Sequence, residues 1–209
     1  MDILISSYKK LSDMIFDGYK PFEFRHNIPK KLRVGDKVYI YEPAPGAQKI
    51  VGEFTLGGLS DISGNKLGFL PFFQYYVGTI LNDPELYKLA KRCYSIKCPY
   101  NAWIPLKYMF CEDILDYMEK NHDVPKNIDY LGKRDKLEKA DKLVSDCDEW
   151  LTRIGFYNLS GESDYRYVFE IQNPIRYSIP YSIEKIRAGN GQTLRKAPQS
   201  WCYVSKIEK

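Results

Sequence analysis

Strand patterns at both ends of the chain enclose a helical middle, and this order constrains the fold more than any other feature. Apolar or alternating runs typical of strands lie at 2–5, 19–26, 37–43, 49–58, 165–177 and 201–207. Helical patterns follow a helix start at 82–85 and cover 107–120 and 133–152. Strands at both ends do not mark two clean domains. We therefore expect one α+β domain over 1–209: a small mixed β-barrel closed by its two ends, with flanking helices and a helical insertion at about 60–155.

Local signals place the ends of several elements. Residues 6–17 are predicted to form a helix with Ser6 or Ser7 as its N-cap and a glycine, Gly18, directly after it. Gly52 predicts a bulge in the strand at 49–58. Residues 178–200 are predicted to be turn and loop. Their Gly-Asn-Gly-Gln segment, 189–192, is not followed by a helical pattern, so it is not a phosphate-binding P-loop.

Composition excludes several classes of protein. The 209 residues are 44% hydrophobic and 28% charged, as in an ordinary globular chain, which excludes wholesale disorder. The formal net charge of +4 is below that of a strongly basic nucleic-acid binder, although a local basic patch matters more than the sum. No run of 18 apolar residues and no basic-then-apolar leader is present, so we expect a soluble, cytoplasmic protein without membrane contact.

Cysteine and histidine are too sparse for a metal site. The five cysteines, Cys93, Cys98, Cys111, Cys147 and Cys202, form no CxxC pair, and there are only two histidines. A structural zinc site needs about four ligands at tight spacing. We therefore expect no metal and no cofactor, and free thiols in a reducing compartment.

The most informative stretch is Gly18-Tyr19-Lys20-Pro21-Phe22-Glu23-Phe24-Arg25, just after the first predicted helix. On an extended segment Glu23 and Arg25 share one face and Lys20 lies on the other, unless a bend at Pro21 brings Lys20 round. One interpretation is a surface strand with a same-face ion pair worth at most about 1 kcal/mol. The other is a binding or catalytic site.

This stretch resembles the Gly-x-Lys-x-x-Glu-x-Arg box of ASCH domains, which belong to the PUA-like superfamily. All four box positions match, at Gly18, Lys20, Glu23 and Arg25. The continuation "IPKK" at 28–31 and "VYIYE" at 38–42, and "APQSWCYV" at 197–204, are similar to the predicted transcriptional regulators of that family. The resemblance covers roughly 1–58 and 165–207, and the middle matches only in being helical.

The resemblance implies a PUA-like β-barrel whose cleft, lined by the box, binds RNA or a nucleotide-like ligand in a regulatory role. Arg25 would fork onto phosphate or a base edge, Glu23 would accept from an exocyclic amine, and Lys20 would meet phosphate. Further candidate ligand residues are two aromatic side chains for base stacking and three cations of the basic turn: Tyr41, Trp201, Lys30, Lys31 and Arg33.

Two other classes of function stay open, an enzyme and a protein-interaction module. One branch of the family resembles an amidohydrolase acting on N4-acetylcytidine, and another is reported as a ribonuclease; both would make Lys20 and Glu23 the catalytic residues. The amidohydrolase box has a threonine nucleophile where this chain has Glu23. A third hypothesis is a protein-interaction module that forms a homo-oligomer through the aromatic stretch 69–76 of the insertion.

Overall fold

The computed structural model describes residues 1–62, 69–96, 103–126, 131–156 and 165–207. These residues belong to two compact units, the first made of Met1–Ser63 and Thr152–Lys209 and the second of Gly64–Leu151. The residue range expected as a helical insertion, about 60–155, contains the second unit. That the two units form a single domain stays a prediction. No helix in the described ranges is long and apolar enough to cross a membrane.

The first unit is built on a mixed sheet, and the chain is α+β as expected. Its strands are β1 (Ile3–Ser6), β2 (Phe22–Arg25), β3 (Lys37–Glu42), β4 (Lys49–Asp61), β5 (Tyr167–Tyr181), β6 (Ile186–Ala188) and β7 (Trp201–Ile207). They lie in the order β2-β5-β4-β3-β1-β7-β6. β1 pairs with β3 in parallel, and the other neighbours are antiparallel.

The two ends of the chain do meet, but the sheet is not closed into the expected barrel. β1 pairs with β7, with Leu4 opposite Cys202. Within the described residues β2 and β6 remain edge strands. Backbone pairing therefore leaves the sheet open.

Alternation along the strands buries a different apolar cluster on each face of the sheet. The first cluster includes Ile3, Ile5, Val38, Ile40 and Phe169. Leu4, Tyr39, Ile50, Ile186 and Val204 form the second. The bulge predicted at Gly52 is confirmed, because the β4 register shifts between Ile50 and Gly52. The face on which a strand residue lies is set by this alternation and decides which predicted site residues can meet.

The helix α1 (Lys9–Phe16) begins later than its predicted cap. Tyr8 is the N-cap and makes no side-chain capping bond, so neither Ser6 nor Ser7 caps the helix. Ser6 is still part of β1, and its hydroxyl donates instead to the carbonyl of Pro198, at 2.6 Å. The prediction failed because the strand continues into the segment that local sequence assigned to the cap.

The segment 178–200 also holds more regular structure than predicted. β5 continues to Tyr181, a 3-10 turn follows at Ile183–Lys185, and β6 comes directly after it. β6 pairs with β7, which supplies the hydrogen bonds that the local sequence does not signal.

The second unit is helical over its described residues. Its helices are α2 (Phe69–Tyr75), a π-helical turn (Tyr76–Ile80), α3 (Pro84–Ser95), α4 (Trp103–Lys107), α5 (Glu112–Asn121), a 3-10 turn (Leu131–Lys133) and α6 (Arg134–Arg153), which runs two residues into the first unit. Asp83 caps α3 as predicted, accepting from the backbone N–H groups of Glu85 and Leu86 at 3.0 Å. The predicted helix at 107–120 is wrong at its start, since α5 begins only at Glu112.

The aromatic stretch 69–76 contributes to buried packing. Phe72, Phe73 and Tyr76 are buried. The Tyr75 ring stacks on Trp150 of the same unit, with centroids 6.1 Å apart and planes 11° from parallel. Oligomerisation through this stretch stays a prediction.

Candidate functional site

The strand β2 brings the box residues together. Gly18 has a φ of +78°, which ends α1 and turns the chain toward β2. Pairing of β2 with β5 places Glu23 opposite Phe169 and Arg25 opposite Tyr167. Both partners belong to, or pack against, the first apolar cluster. Glu23 and Arg25 therefore share the face of the sheet that carries this cluster, as the sequence predicted.

Lys20 joins them from the bend at Pro21. Its side chain is only 1% exposed, and its Nζ lies 3.5 Å from Glu23 Oε2. The ammonium also donates to the carbonyl of Ile154, at 2.5 Å, and lies 4.6 Å from the centroid of the Phe24 ring. Burial lowers the pKa of Lys20, and the carboxylate of Glu23 opposes this shift.

The carbonyl that receives Lys20 is presented by a tight turn after α6. Gly155 has a φ of +82°, and a Cβ there would lie 3.3 Å from the Leu11 side chain and 4.0 Å from Lys20 Nζ. A larger residue at 155 would be strained in this backbone conformation. Glycine at this position lets the turn approach the buried ammonium closely.

Arg25 connects the edge strand β2 to segments near the opposite edge of the sheet. Its Nη2 lies 2.7 Å from Glu23 Oε1 and donates to the carbonyl of Ser6 at 2.9 Å. Its Nη1 donates to the carbonyl of Ser200 at 3.3 Å. Arg25 thus links an edge strand to the end of β1 and to the residue before β7, a connection that the backbone does not make. Glu23 lies between two cations as a result.

Three buried polar atoms in this region have no hydrogen-bond partner among the described residues: Ser7 Oγ, Glu23 Oε2 and Arg25 Nε. Each buried polar group left unsatisfied costs about 1–3 kcal/mol. Glu23 Oε2 is an acceptor and Arg25 Nε is a donor, and both side chains lie on the same face of the sheet. A ligand that offers a donor beside an acceptor, as the edge of a nucleobase does, would satisfy both.

The basic turn lies at the surface. Lys30, Lys31 and Arg33 are all exposed. Arg33 Nη1 donates to the carbonyls of Lys30 and Leu32, at 2.9 and 2.7 Å, so its guanidinium is partly used by its own turn. The backbone N–H of Lys31 donates to the hydroxyl of Tyr203 on β7, at 2.9 Å. The two lysine ammonium groups are thus the groups of this turn best placed for an external anion.

The structure separates the two predicted stacking residues. Trp201 packs against the first cluster, on the face of Glu23 and Arg25, and meets Tyr203 edge to face at 5.4 Å. Tyr41 packs against the second cluster, on the opposite face. Tyr41 therefore does not join the box. Its face depends on the register of β3, which sequence alone does not supply.

Sequence reasoning missed the backbone partners of the box. The carbonyls of Ser6, Ile154 and Ser200 receive the two cations. No side-chain pattern marks a carbonyl acceptor, and the contact between Lys20 and Ile154 spans 134 residues.

No group of three or more His, Cys, Asp or Glu side chains that could hold a metal ion occurs among the described residues. The described free thiols belong to Cys93, Cys111, Cys147 and Cys202. Burial raises the pKa of Cys93 to about 12 and also raises that of Cys147. Cys98 lies outside the described residues.

Comparison with solved structures finds similar proteins at low identity. The structure of ZmASCH, an ASCH protein from Zymomonas mobilis, is 16% identical, covers 98% of this chain and 88% of its own, and has a TM-score of 0.41. A serine-to-alanine mutant of ZmASCH has 14% identity, coverage of 99% and 90%, and a TM-score of 0.43. Its tyrosine-to-phenylalanine mutant has 15% identity, coverage of 99% and 92%, and a TM-score of 0.42. No family model matches the chain, and no curated protein matches it.

Proposed function

We propose that this chain is an ASCH-type, PUA-like protein that binds RNA or a related nucleotide ligand at Lys20, Glu23 and Arg25, in a regulatory role such as transcriptional control. The observation that supports this most directly is that two buried atoms, Glu23 Oε2 and Arg25 Nε, have no hydrogen-bond partner among the described residues. Such atoms would only destabilise a purely structural ion pair, because each adds to the free-energy cost of burial.

The chemistry of the pair suits a base edge. Glu23 Oε2 accepts from an exocyclic amine, and Arg25 Nε donates to a ring nitrogen or a carbonyl oxygen. Trp201, on the same face, offers an aromatic surface, and base stacking on such a ring is worth about 1–3 kcal/mol. The ammonium groups of Lys30 and Lys31 offer contacts to phosphate.

Ligand entry needs a local rearrangement, because the side chains of Glu23 and Arg25 are only 6% and 11% exposed. The contact easiest to exchange is that of Arg25 Nη1 with the Ser200 carbonyl. At 3.3 Å it is the longest polar contact of this guanidinium in the described structure. An oxygen of the ligand would take the place of Ser200.

A hydrolase acting on a modified nucleoside or on RNA is the second candidate. The observation that favours it is the burial of Lys20, which lowers its pKa and so raises the share of neutral, nucleophilic or basic amine. Glu23 at 3.5 Å would then exchange a proton with that amine. The family's threonine nucleophile is still lacking, so this activity would have to use Lys20 and Glu23 alone.

The test is a combined binding and turnover measurement on Arg25 variants. Arg25→Lys keeps the positive charge but removes Nε and the planar fork, and we expect it to weaken RNA binding by about 10- to 100-fold. Arg176→Lys is the matched control, because Arg176 is also paired with a carboxylate, that of Asp13, at 2.6 Å. We expect it to bind like the wild type.

The result that would refute binding at the box is unchanged RNA affinity in a folded Arg25→Lys protein. Products are followed by mass spectrometry with RNA and N4-acetylcytidine as substrates. A new product mass that disappears in Lys20→Met would replace the binding proposal by the hydrolase.

A further inference from the structure

An open cavity lies in the first unit, between the end of β6 and the start of β7. The cavity has a volume of about 830 Å³ and is lined by Ala188, Asn190 and residues 192–196. Arg195 and Lys196 are exposed at its wall. Over 183–200 the sequence has four cations, Lys185 among them, and Glu184 as its one acidic residue. The cavity is therefore both concave and positively charged.

The loop around the cavity is held by its own hydrogen bonds. The backbone N–H of Ala188 donates to the carbonyl of Gln192 and that of Gly191 to the carbonyl of Ala188, both at 2.8 Å. The N–H of Gln192 donates to Asn190 Oδ1 at 3.1 Å. Arg187 donates to the Thr193 hydroxyl. Because these amides are used internally, an anion would be held by side chains, in contrast to a P-loop.

The two cations at the wall are available for a ligand. Within the described structure, neither Arg195 nor Lys196 forms an ion pair with an acidic residue. An arginine fork and a lysine ammonium side by side suit the oxygens of a phosphate group. The preorganised loop lowers the cost of ordering them.

The same chain segment leads from this cavity to the box. Two residues after Lys196, the carbonyl of Pro198 accepts from the Ser6 hydroxyl, and two further on, the carbonyl of Ser200 accepts from Arg25. Four residues of extended chain span at most about 14 Å. At about 3.4 Å per phosphate along a stacked strand, this corresponds to about four nucleotides.

We propose that the cavity at 188–196 binds backbone phosphates of a single-stranded nucleic acid whose base occupies the site at Glu23 and Arg25. This inference rests on the proposed function and narrows it, because the ligand is then a strand and not a free nucleoside. Arg195 and Lys196 contact the phosphates, and the segment 197–200 aligns them with the box.

The experiment is fluorescence anisotropy with a labelled single-stranded RNA of about ten nucleotides, titrated at several salt concentrations. The variant is Arg195→Gln with Lys196→Gln. The control is Lys136→Gln with Lys142→Gln, two exposed residues of α6, which changes the net charge by the same amount. Both variants keep the wild-type circular dichroism spectrum if the substitutions are confined to the surface.

Loss of two phosphate contacts predicts a salt slope smaller by about 1.4 and, near 0.1 M salt, about 25-fold weaker binding, whereas the control stays within about 2-fold. A mononucleotide is the second probe, and we expect its binding at the box to be unchanged in the same variant. DNA of the same sequence shows whether the strand must be RNA, and either result supports a nucleic-acid strand.

Equal RNA affinity in the variant and its control would overturn this inference and leave the box proposal standing, provided that Arg25→Lys still weakens binding. Equal binding of polyglutamate of the same charge, lost in the same variant, would also overturn it. Wild-type protein that binds neither RNA nor the mononucleotide would refute the proposed function itself.

Discussion

Replacing Glu23 by glutamine tests the charge balance of the box. The substitution keeps the shape of the side chain and removes the negative charge between Lys20, at 3.5 Å, and Arg25, at 2.7 Å. Lys20 is then an uncompensated cation with 1% of its side chain exposed. Breaking a buried ion pair in this way costs about 3–5 kcal/mol.

The cost of deprotonating Lys20 gives a similar loss of stability. The folded variant avoids burying an unpaired cation if Lys20 loses its proton. At pH 7 this means releasing a proton 3.5 pH units below its ordinary pKa of 10.5, at about 1.4 kcal/mol per unit, or about 5 kcal/mol in total. The free energy of unfolding should therefore fall by about 3–5 kcal/mol at pH 7, and by no more than about 5.

The sign of the pH dependence follows from the same equilibrium. In the variant the pKa of Lys20 is lowered further, because Glu23 no longer opposes the effect of burial, so the folded state releases the proton at a lower pH than the unfolded chain, whose lysine has its ordinary pKa of 10.5. The unfolded state thus binds more protons, so the stability of the variant rises with pH. The wild type rises less, because Glu23 keeps Lys20 charged over more of the range. Between pH 7 and 9 the gap between the two proteins should shrink, by at most about 2.7 kcal/mol.

Urea unfolding at pH 7, 8 and 9 measures this gap. Lys20→Met combined with Glu23→Gln removes both charges, so it should recover most of the lost stability and abolish the extra pH dependence. Glu53→Gln is the control, because its cation Lys37 is 47% exposed and can return to water. Its effect should be smaller and flat between pH 7 and 9. A gap for Glu23→Gln that is constant with pH, or a double variant less stable than the single one, would refute the reasoning.

Two further predictions concern the second unit. Asp83→Ala removes the acceptor of two helix-end N–H groups and should lower stability by about 1 kcal/mol, while Asp83→Asn should stay near wild type; equal losses in urea unfolding would exclude a capping role. Cys93, with its pKa raised to about 12 by burial, should react with iodoacetamide at pH 8 about 1000-fold more slowly than a thiol of pKa 9, as followed by peptide mass spectrometry. Native labelling as fast as in denaturant would contradict the burial of this thiol.

Much of the local structure could be predicted from local sequence. Alternation identified most of the strands, including β7, and the 3.6-residue period identified α6, in which Ala140, Cys147 and Leu151 are buried. These predictions succeed because periodic burial of side chains is a property of neighbouring residues. The cap at Ser6 or Ser7 failed because β1 continues to Ser6 and α1 begins only at Lys9, with Tyr8 as its N-cap.

The sequence by itself determined which residues of the box can share a face. The spacing of Glu23 and Arg25 puts them on the same side of any extended strand, and the bend at Pro21 allowed Lys20 to join them. What it could not determine is the environment of these charges. A charged side chain on a strand is more often a solvated surface residue. Only burial makes this ion pair a cluster in which, among the described residues, Glu23 Oε2 and Arg25 Nε have no hydrogen-bond partner.

Tertiary structure alone decided that the charged side chains of the box are buried and that the sheet is open. The carbonyls that hold Lys20 and Arg25 come from Ser6, Ile154 and Ser200, which are brought to β2 by long-range folding. The opposite faces of Tyr41 and Trp201 follow from strand pairing. Backbone acceptors and strand register depend on contacts between distant segments, and these leave no trace in local composition or period.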